Sequence, residues 1–483
     1  MLLIKHHKER LGKGLEAHPT AFSMEHLGSH SAQNSSGIAH YLAHLIGQIK
    51  SKRFSVRDCF IVRQHILDAI AAAFIGRRGK AFDDLTELCP KVSKGSGWPA
   101  SSTIKVHSLD AAMIWAFAIN ASVFEDGSRE GACHPSAAVI PTMIALSNGK
   151  NWEPIDQAVI AGYDVMVRLA RSGNPQFTRR GFHPTAITAP FGAAATASLL
   201  LRHDLLTTQN ALCLAAMGSA GLISSFQSGQ TQPLQVAWSV RSGVAAAMMA
   251  GAGHSGYPHI FEEGFYPAYL GNPPTIPVDK PLEHKYAVRG SYLKPYPGCR
   301  HLHPSLDALV EILKENRIKP AQVEKIKVRT YRVAVETEIH NLNERGDAYF
   351  NIPYALAARM ILGKNDWDAF DEKHFTNKRL IEVMKKVTVL IDPEVDGLYP
   401  GQRGSIVEVY MVDGNMIFGK VNYPLGEPEN PLPDSVTREK FRQAAGDFLS
   451  KKILDRIETI LDVSQPADSP EKLFKALSKK TKE

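Results

Sequence analysis

Four short clusters in this chain carry residue types that move protons or hold carboxylates. The first is Phe124-Glu125-Asp126-Gly127-Ser128-Arg129-Glu130-Gly131-Ala132-Cys133-His134-Pro135. It sets carboxylates, an arginine, a cysteine and a histidine between two apolar stretches. Charges between buried helices are costly unless paired or used. His134 directly precedes Pro135, and proline favours the first turn of a helix, so the imidazole is expected at a helix N-terminus. The positive end of the helix dipole disfavours the imidazolium there and keeps a neutral ring able to act as a base. The competing reading is a surface loop with a capping histidine.

The second cluster, Arg179-Arg180-Gly181-Phe182-His183-Pro184-Thr185, repeats the His-Pro arrangement behind two arginines. Arginine forks bind carboxylates bidentately; the alternative is a basic loop. Two such histidines suggest a shared site, which spacing alone does not show. The third, Gly229-Gln230-Thr231-Gln232-Pro233-Leu234-Gln235, is an amide-rich turn before a long helical stretch. The fourth, Lys294-Pro295-Tyr296-Pro297-Gly298-Cys299-Arg300-His301-Leu302-His303-Pro304, puts a lysine, a cysteine, an arginine and two histidines on a proline-stiffened loop. It reads best as an anion-binding loop at a domain junction. A metal held by His301 and His303 lacks a nearby carboxylate. Cys133 and Cys299 are each either a nucleophile or a small loop residue. Gly251-Ala252-Gly253-His254-Ser255-Gly256 fits GxGxxG, but it follows a helical run rather than a strand, which speaks against a dinucleotide site. P-loop, GxSxG, HExxH and CxxCH patterns are absent.

Distant segments must converge to join these clusters. Between residues 38 and 270 nearly every apolar segment has helical length and spacing: 64–75, 109–124 with Ser108 as its cap, 135–146, 154–171, 185–201, 211–218 and 233–252. Runs such as FGAAATASLLL and RSGVAAAMMAGAG carry small side chains that let helices pack closely. Prolines at 267, 273, 274, 277 and 281 then mark a connector. Beyond it, helices over 304–316 and 352–362 alternate with strands over 323–331, 386–391, 405–412 and 416–421. The last two strands flank Asp413-Gly414, a hairpin signal. The expected fold is mainly α, a large all-helical domain with a smaller α+β lid. The expected division is a poorly ordered leader over 1–35, the helical domain over 36–282 and the lid over 283–423. A segment over 424–462, with one helix over 438–461, returns to the helical domain, and a loose charged tail covers 463–483.

At 483 residues the chain exceeds one core of ~250–300 residues. Hydrophobic residues at 44% and charged residues at 22% exclude a mainly disordered chain. The net charge of +7 is spread without a Lys/Arg run, which speaks against nucleic-acid binding and suits an anionic small molecule. The apolar stretches 186–201 and 244–253 are shorter than the ~18–20 residues of a membrane span. The basic N-terminus lacks the apolar core of a secretory signal. Five cysteines, far apart and without CxxC, argue against a disulfide framework and point to a reducing compartment. That compartment is the cytoplasm, or the mitochondrial matrix in a eukaryote.

The segments SLDAAMIWAFAINASVFED, HPSAAVIPTMIAL, GYDVMVRLARSGNP with RGFHPTAITAPFGAAATASLLL, KPYPGCRHLHPSLDA, YFNIPYALAARMILG and DGNMIFGKVNYPLGEPENPLP carry a resemblance. Together, over residues 36–462, the chain resembles the MmgE/PrpD family, which includes 2-methylcitrate dehydratases, cis-aconitate decarboxylases and some epimerases. The resemblance implies a helical domain with an α+β lid, a homodimer, and a cleft between the domains that needs neither metal nor organic cofactor. It also implies a small-molecule carboxylic acid as substrate. Carried across, the catalytic residues are Asp126, His134, His183, Lys294 and Tyr354. Arg129, Arg180, Gln232, Arg300 and His303 would surround the substrate. Two places depart from the family pattern. Its Asp-Asp-Thr-His run is here Glu125-Asp126-Gly127-Ser128, and the lysine of its Thr-Lys-Pro turn is Gln232, with Arg129 as a substitute cation. The leading expectation is a hydro-lyase that takes a proton beside a carboxylate of a hydroxy-polycarboxylate. Decarboxylation or epimerisation of a related acid would use the same site. A non-catalytic relative that binds a metabolite is the third reading. Either His134 or His183 would be the base, with the other histidine or Tyr354 as the acid.

Overall fold

The computed structural model describes residues 37–95, 97, 105–227, 231–465 and 469–477. The leader expected over 1–35, Gly229 and Gln230 of the third cluster, and the tail beyond 477 lie outside the described residues.

The helices α1 (Ile38–Lys50), α2 (Val56–Gly76), α3 (Ser108–Ala121), α4 (Ser136–Leu146), α5 (Trp152–Gly173), α6 (Pro184–Leu200), α7 (Leu205–Ala215) and α8 (Thr231–Gly251) share one apolar core. α6 is buried along its whole length, packed among α4, α5, α7 and α8. Its alanine-rich sequence accounts for that position, because short side chains let neighbouring backbones close in. Where α6 meets α8, a Cβ on Gly243 would lie 2.2 Å from the Pro190 carbonyl oxygen, so only glycine fits. The expectation of no membrane-length apolar stretch needs one correction. α2 is long and apolar enough to cross a membrane by length and composition. It lies mostly inside the helical core, with Arg63, His65 and Asp68 buried along it.

A two-stranded ladder, β1 (Gly127–Ser128) against β2 (Ser291–Tyr292), ties the first cluster to the segment just before the fourth. Two residues are too few for an alternating pattern, so the sequence does not announce it. Beyond it a second apolar core forms. Here α9 (His303–Glu315) and α10 (Ile352–Leu362) pack with a four-stranded sheet of order β4-β3-β5-β6. Its strands are β3 (Val323–Thr330), β4 (Val387–Ile391), β5 (Ser405–Met411) and β6 (Met416–Val421). β3 runs parallel to β4 and antiparallel to β5, and β5–β6 is the hairpin that Asp413-Gly414 signals. The burial of β5 alternates strictly, one face in the core and one towards solvent. The protein is thus mainly α with a smaller α+β part.

Three local expectations are corrected. His107, not Ser108, caps α3: its Nδ1 accepts the Leu109 N–H at 3.3 Å. The single helix expected over 438–461 is two, α11 (Asp434–Ala445) and α12 (Lys451–Leu461). The chain bends at Gly446, a poor helix former, and the bend lets Leu449 bury in the helical core. The tail expected to be loose contains α13 (Pro470–Leu477), whose Leu473, Phe474 and Leu477 bury on one face in the same core.

Candidate active site

His134 stands half-buried just before α4, with 27% of its side chain exposed. Its Nδ1 lies 2.5 Å from the Asp126 carbonyl oxygen. A carbonyl only accepts, so Nδ1 carries the hydrogen and Nε2 carries the lone pair. Asp126 itself lies beneath the site rather than in it. Its carboxylate accepts the Tyr163 hydroxyl at 2.7 Å, the His65 Nδ1–H at 2.7 Å and the Ser136 N–H at 3.1 Å. Burial alone would raise this carboxyl, but the bonds from His65, Ser136 and Tyr163 outweigh it and hold it below its ordinary range. Asp126 therefore caps α4 with its side chain and aims His134 with its backbone.

His183 sits at the start of α6, and the two histidine clusters meet there: the His134 N–H donates to Thr185 Oγ1 at 3.2 Å. The His183 tautomer is set by Gln235, four residues into α8. Gln235 Oε1 accepts the Leu222 N–H at 2.9 Å, which turns its amide nitrogen towards His183 Nδ1 at 2.9 Å. Nδ1 thus accepts, and the hydrogen of the neutral ring is on Nε2. The Phe226 ring closes edge-on against it at 4.9 Å. Burial first, and His134 second, push His183 down to about 3. The two rings therefore differ in kind. His134 presents a lone pair and borders solvent, whereas His183 presents a fixed N–H and stays neutral. Burial and the nearby Lys294 also hold His134 below its ordinary range, against the opposing pull of Glu125.

This difference has a consequence for stability. In the unfolded chain His183 takes up a proton near pH ~6.5; in the fold it does so only at about 3. Between those values the unfolded state binds more protons, so stability falls as pH drops through the window. The full effect is on the order of 5 kcal/mol. His183→Asn should make the slope of unfolding free energy between pH 6 and 4 shallower, as read by urea titration. An unchanged slope would mean that other groups carry the pH dependence.

Lys294 is buried, and its Nζ donates to the Val123 carbonyl at 3.1 Å. Burial lowers its pKa, and Glu125 opposes this. Glu125 is buried as well. Its Oε1 takes the Asn120 amide at 2.9 Å, and its Oε2 has no partner among the described residues. Beneath them lies Lys440 of α11. Its Nζ donates to Asp68 at 2.5 Å, to the Phe124 carbonyl at 2.7 Å and to the Lys294 carbonyl at 3.2 Å. One side chain thus pins the first cluster, the fourth cluster and α2 together.

The other site expectations are placed differently. Arg129 and Arg300 both donate to the buried Glu427, each at 3.1 Å. Arg129 also pairs with Glu429 at 2.6 Å, and Arg300 also donates to the Pro424 and Leu425 carbonyls and to His303 Nδ1. Their charge is spent on stapling the turn after β6, so neither is a spare cation for substrate. His303 is held against Arg300, a poor setting for a metal ligand. Arg180 is exposed, its guanidinium beside Gly271. Gln232 stands half-buried in the first turn of α8. Tyr354 is in the second apolar core: its hydroxyl donates to the Ala369 carbonyl at 2.7 Å, with Phe370 and Phe375 packed against its ring. Asn351 caps α10 through the Tyr354 N–H and turns the side chain inward. Tyr349 lies nearer the fourth cluster, with its carbonyl accepting the Cys299 N–H at 2.8 Å. Burial raises the thiols of both Cys133 and Cys299, which disfavours a thiolate nucleophile. Gly127, where the family pattern has threonine, is required here: a Cβ would lie 2.3 Å from the Tyr292 hydroxyl.

His65, Asp68, Tyr163, Arg403 and Lys440 escape a reading by motifs, while Gln235 closes the third cluster without its role being legible there. For His65 and Asp68 a signal exists, since polar residues interrupt an otherwise apolar helix. Arg403, in a Gly-rich turn before β5, has none.

The MmgE/PrpD N-terminal domain matches residues 40–276, and the MmgE/PrpD C-terminal domain matches residues 296–465. The cis-aconitate decarboxylase of Mus musculus is 24% identical over 428 residues, covering 83% of this chain and 85% of that protein. The cis-aconitate decarboxylase of Aspergillus terreus is 23% identical over 439 residues, covering 82% and 86%. A cis-aconitate decarboxylase-like protein of Aspergillus oryzae is 24% identical over 449 residues, covering 84% and 90%. Both family domains are present in order, the first over the helical part and the second over the α+β part with the returning helices α11 and α12, and the chain belongs to the MmgE/PrpD family.

Proposed function

We propose that the protein is a lyase that decarboxylates an unsaturated tricarboxylic acid of the cis-aconitate type, using its own side chains. One observation carries this: of the two histidines, only His134 borders solvent and presents a lone pair, whereas His183 is locked neutral. Decarboxylation needs a single proton delivered to carbon. Lys294 holds a substrate carboxylate by its charge. The bond to the departing carboxyl breaks, and its electron pair forms a new double bond. The pair of the old double bond takes a proton at its far carbon. His183 Nε2–H, fixed and neutral at a helix N-terminus, stabilises the carboxylate on which charge develops. His134 Nε2 brings the proton; the bound polyanion raises its pKa towards neutrality. The names of the relatives support the same substrate class.

The hydro-lyase reading, first on sequence grounds, comes second. There His134 would carry a proton from carbon to the departing hydroxyl, and it is supported by the same lone pair placed beside a carboxylate-binding lysine. The homodimer and the cytoplasmic location belong to this proposal as well. The test is proton NMR of the protein in D₂O with cis-aconitate, citrate and 2-methylcitrate. A five-carbon unsaturated dicarboxylate from cis-aconitate, with one deuterium incorporated, is expected. Loss of water from citrate or 2-methylcitrate without loss of CO₂ would replace decarboxylation with the hydro-lyase.

A further inference from the structure

Eight lysines and arginines are buried among the described residues. Arg63, Arg129, Arg168, Arg171, Arg300 and Lys440 each sit within ion-pair distance of a carboxylate. Lys294 and Arg403 are the remaining two, and no carboxylate lies within that distance of either among the described residues. A buried charge without a counter-charge is costly and persists where something else supplies it.

Arg403 lies on the turn leading into β5 and is 5% exposed. Its Nε is buried with no hydrogen-bond partner among the described residues. Its surroundings are aromatic rather than acidic. The guanidinium is 5.8 Å from the Tyr292 ring, and Tyr292 belongs to the ladder that reaches the first cluster. Tyr331 stacks on Tyr399 at 4.7 Å, and the Tyr331 hydroxyl lies 2.6 Å from His301 Nδ1. Burial first, then the charges of Arg403 and Lys294, push His301 down to about 3, so both cations act on one ring of the fourth cluster. Burial works against the Arg403 charge, while Tyr292, Tyr399, Tyr331 and, after them, Glu427 raise its pKa; Glu427 is already shared by Arg129 and Arg300.

We propose that Arg403 is a second carboxylate-binding residue of the site, taking a substrate carboxylate that Lys294 does not hold and so favouring a tricarboxylate over a dicarboxylate. This rests on the polycarboxylate reading above. Two unpaired cations serve two retained carboxylates, and the third group leaves as neutral CO₂, which a cation would hold back. A guanidinium fork suits this role because it binds a carboxylate with two parallel hydrogen bonds. Arg403 belongs to the α+β part, whereas Gln232, where the family pattern has lysine, belongs to α8 of the helical part.

The experiment is calorimetric titration of the full chain with tricarballylate, a saturated tricarboxylate, and with glutarate, a dicarboxylate. Arg403→Met should weaken tricarballylate by roughly ten- to a hundredfold, as for loss of a charged hydrogen bond, and change glutarate by less than about threefold. Arg403→Lys, which keeps the charge and loses the fork, should weaken tricarballylate by about tenfold. Without ligand, Arg403→Met should melt no lower than the parent, because an uncompensated buried charge has been removed. A lower melting temperature with unchanged tricarballylate affinity would make Arg403 a structural residue and overturn the inference. Equal weakening of both acids would overturn the selectivity. If the parent binds tricarballylate and both variants bind it as tightly, the inference alone fails. If the parent binds neither acid, the polycarboxylate reading fails and takes the inference with it.

Discussion

Replacing His134 by asparagine should lower kcat by roughly a hundred- to ten-thousandfold, the range for losing a positioned proton-transfer group. KM should change little, because Lys294 still holds the substrate. Stability should also change little. The ring is half-buried, and an asparagine amide can keep the bond to the Asp126 carbonyl. The comparison variant is His183→Asn, which also loses turnover but alters the pH dependence of folding, because its ring is buried and neutral. Steady-state kinetics on the substrate found by NMR would read the first effect and urea titrations the second. A His134→Asn protein with more than a tenth of parental kcat would remove His134 from the proton-transfer step.

Lys440→Met should destabilise the protein by about 3–5 kcal/mol, the cost of leaving one member of a buried ion pair without its partner. Asp68, whose pKa burial already raises, would lose the counter-charge that opposes this, and its Oδ2 already lacks a hydrogen-bond partner among the described residues. The Phe124 and Lys294 carbonyls would lose their donor as well. The double variant Lys440→Met with Asp68→Leu should recover most of that stability, since an apolar pair can replace a buried ion pair. It should not recover activity, because nothing then ties the Lys294 backbone to the first cluster. Denaturant midpoints and kcat measured on the same three proteins separate these effects. A single variant that loses less than 1 kcal/mol would show that the pair contributes little.

The helices and strands follow from features a few residues apart. Apolar spacing in 64–75 and 154–171, proline after His134 and His183, and Asp413-Gly414 each act through neighbouring backbone, so the chain announces them locally. The misplaced boundaries have local causes too weak to outvote the pattern. Gly446 breaks a helix that periodicity alone would continue, and two-residue strands have no period. The site is legible in part for the same reason. Residue types that move protons cluster in loops at helix starts, and His134 and His183 do meet at the starts of α4 and α6.

By itself, the sequence determined the helical core, the α+β part and the loops that carry the chemistry, since these depend on short-range patterns of size, polarity and backbone freedom. Only the tertiary structure decided which charges are spent and which remain. Arg129 and Arg300 look like substrate cations until Glu427, far along the chain, is packed between them. Arg403 looks like a turn residue until burial leaves it without a carboxylate in ion-pair distance among the described residues. The hydrogen on His183 is placed by Gln235, and the one on His134 by the Asp126 carbonyl. Charge pairing and tautomer depend on distances of about 3 Å between groups that folding brings together, and separation along the chain carries no information about those distances.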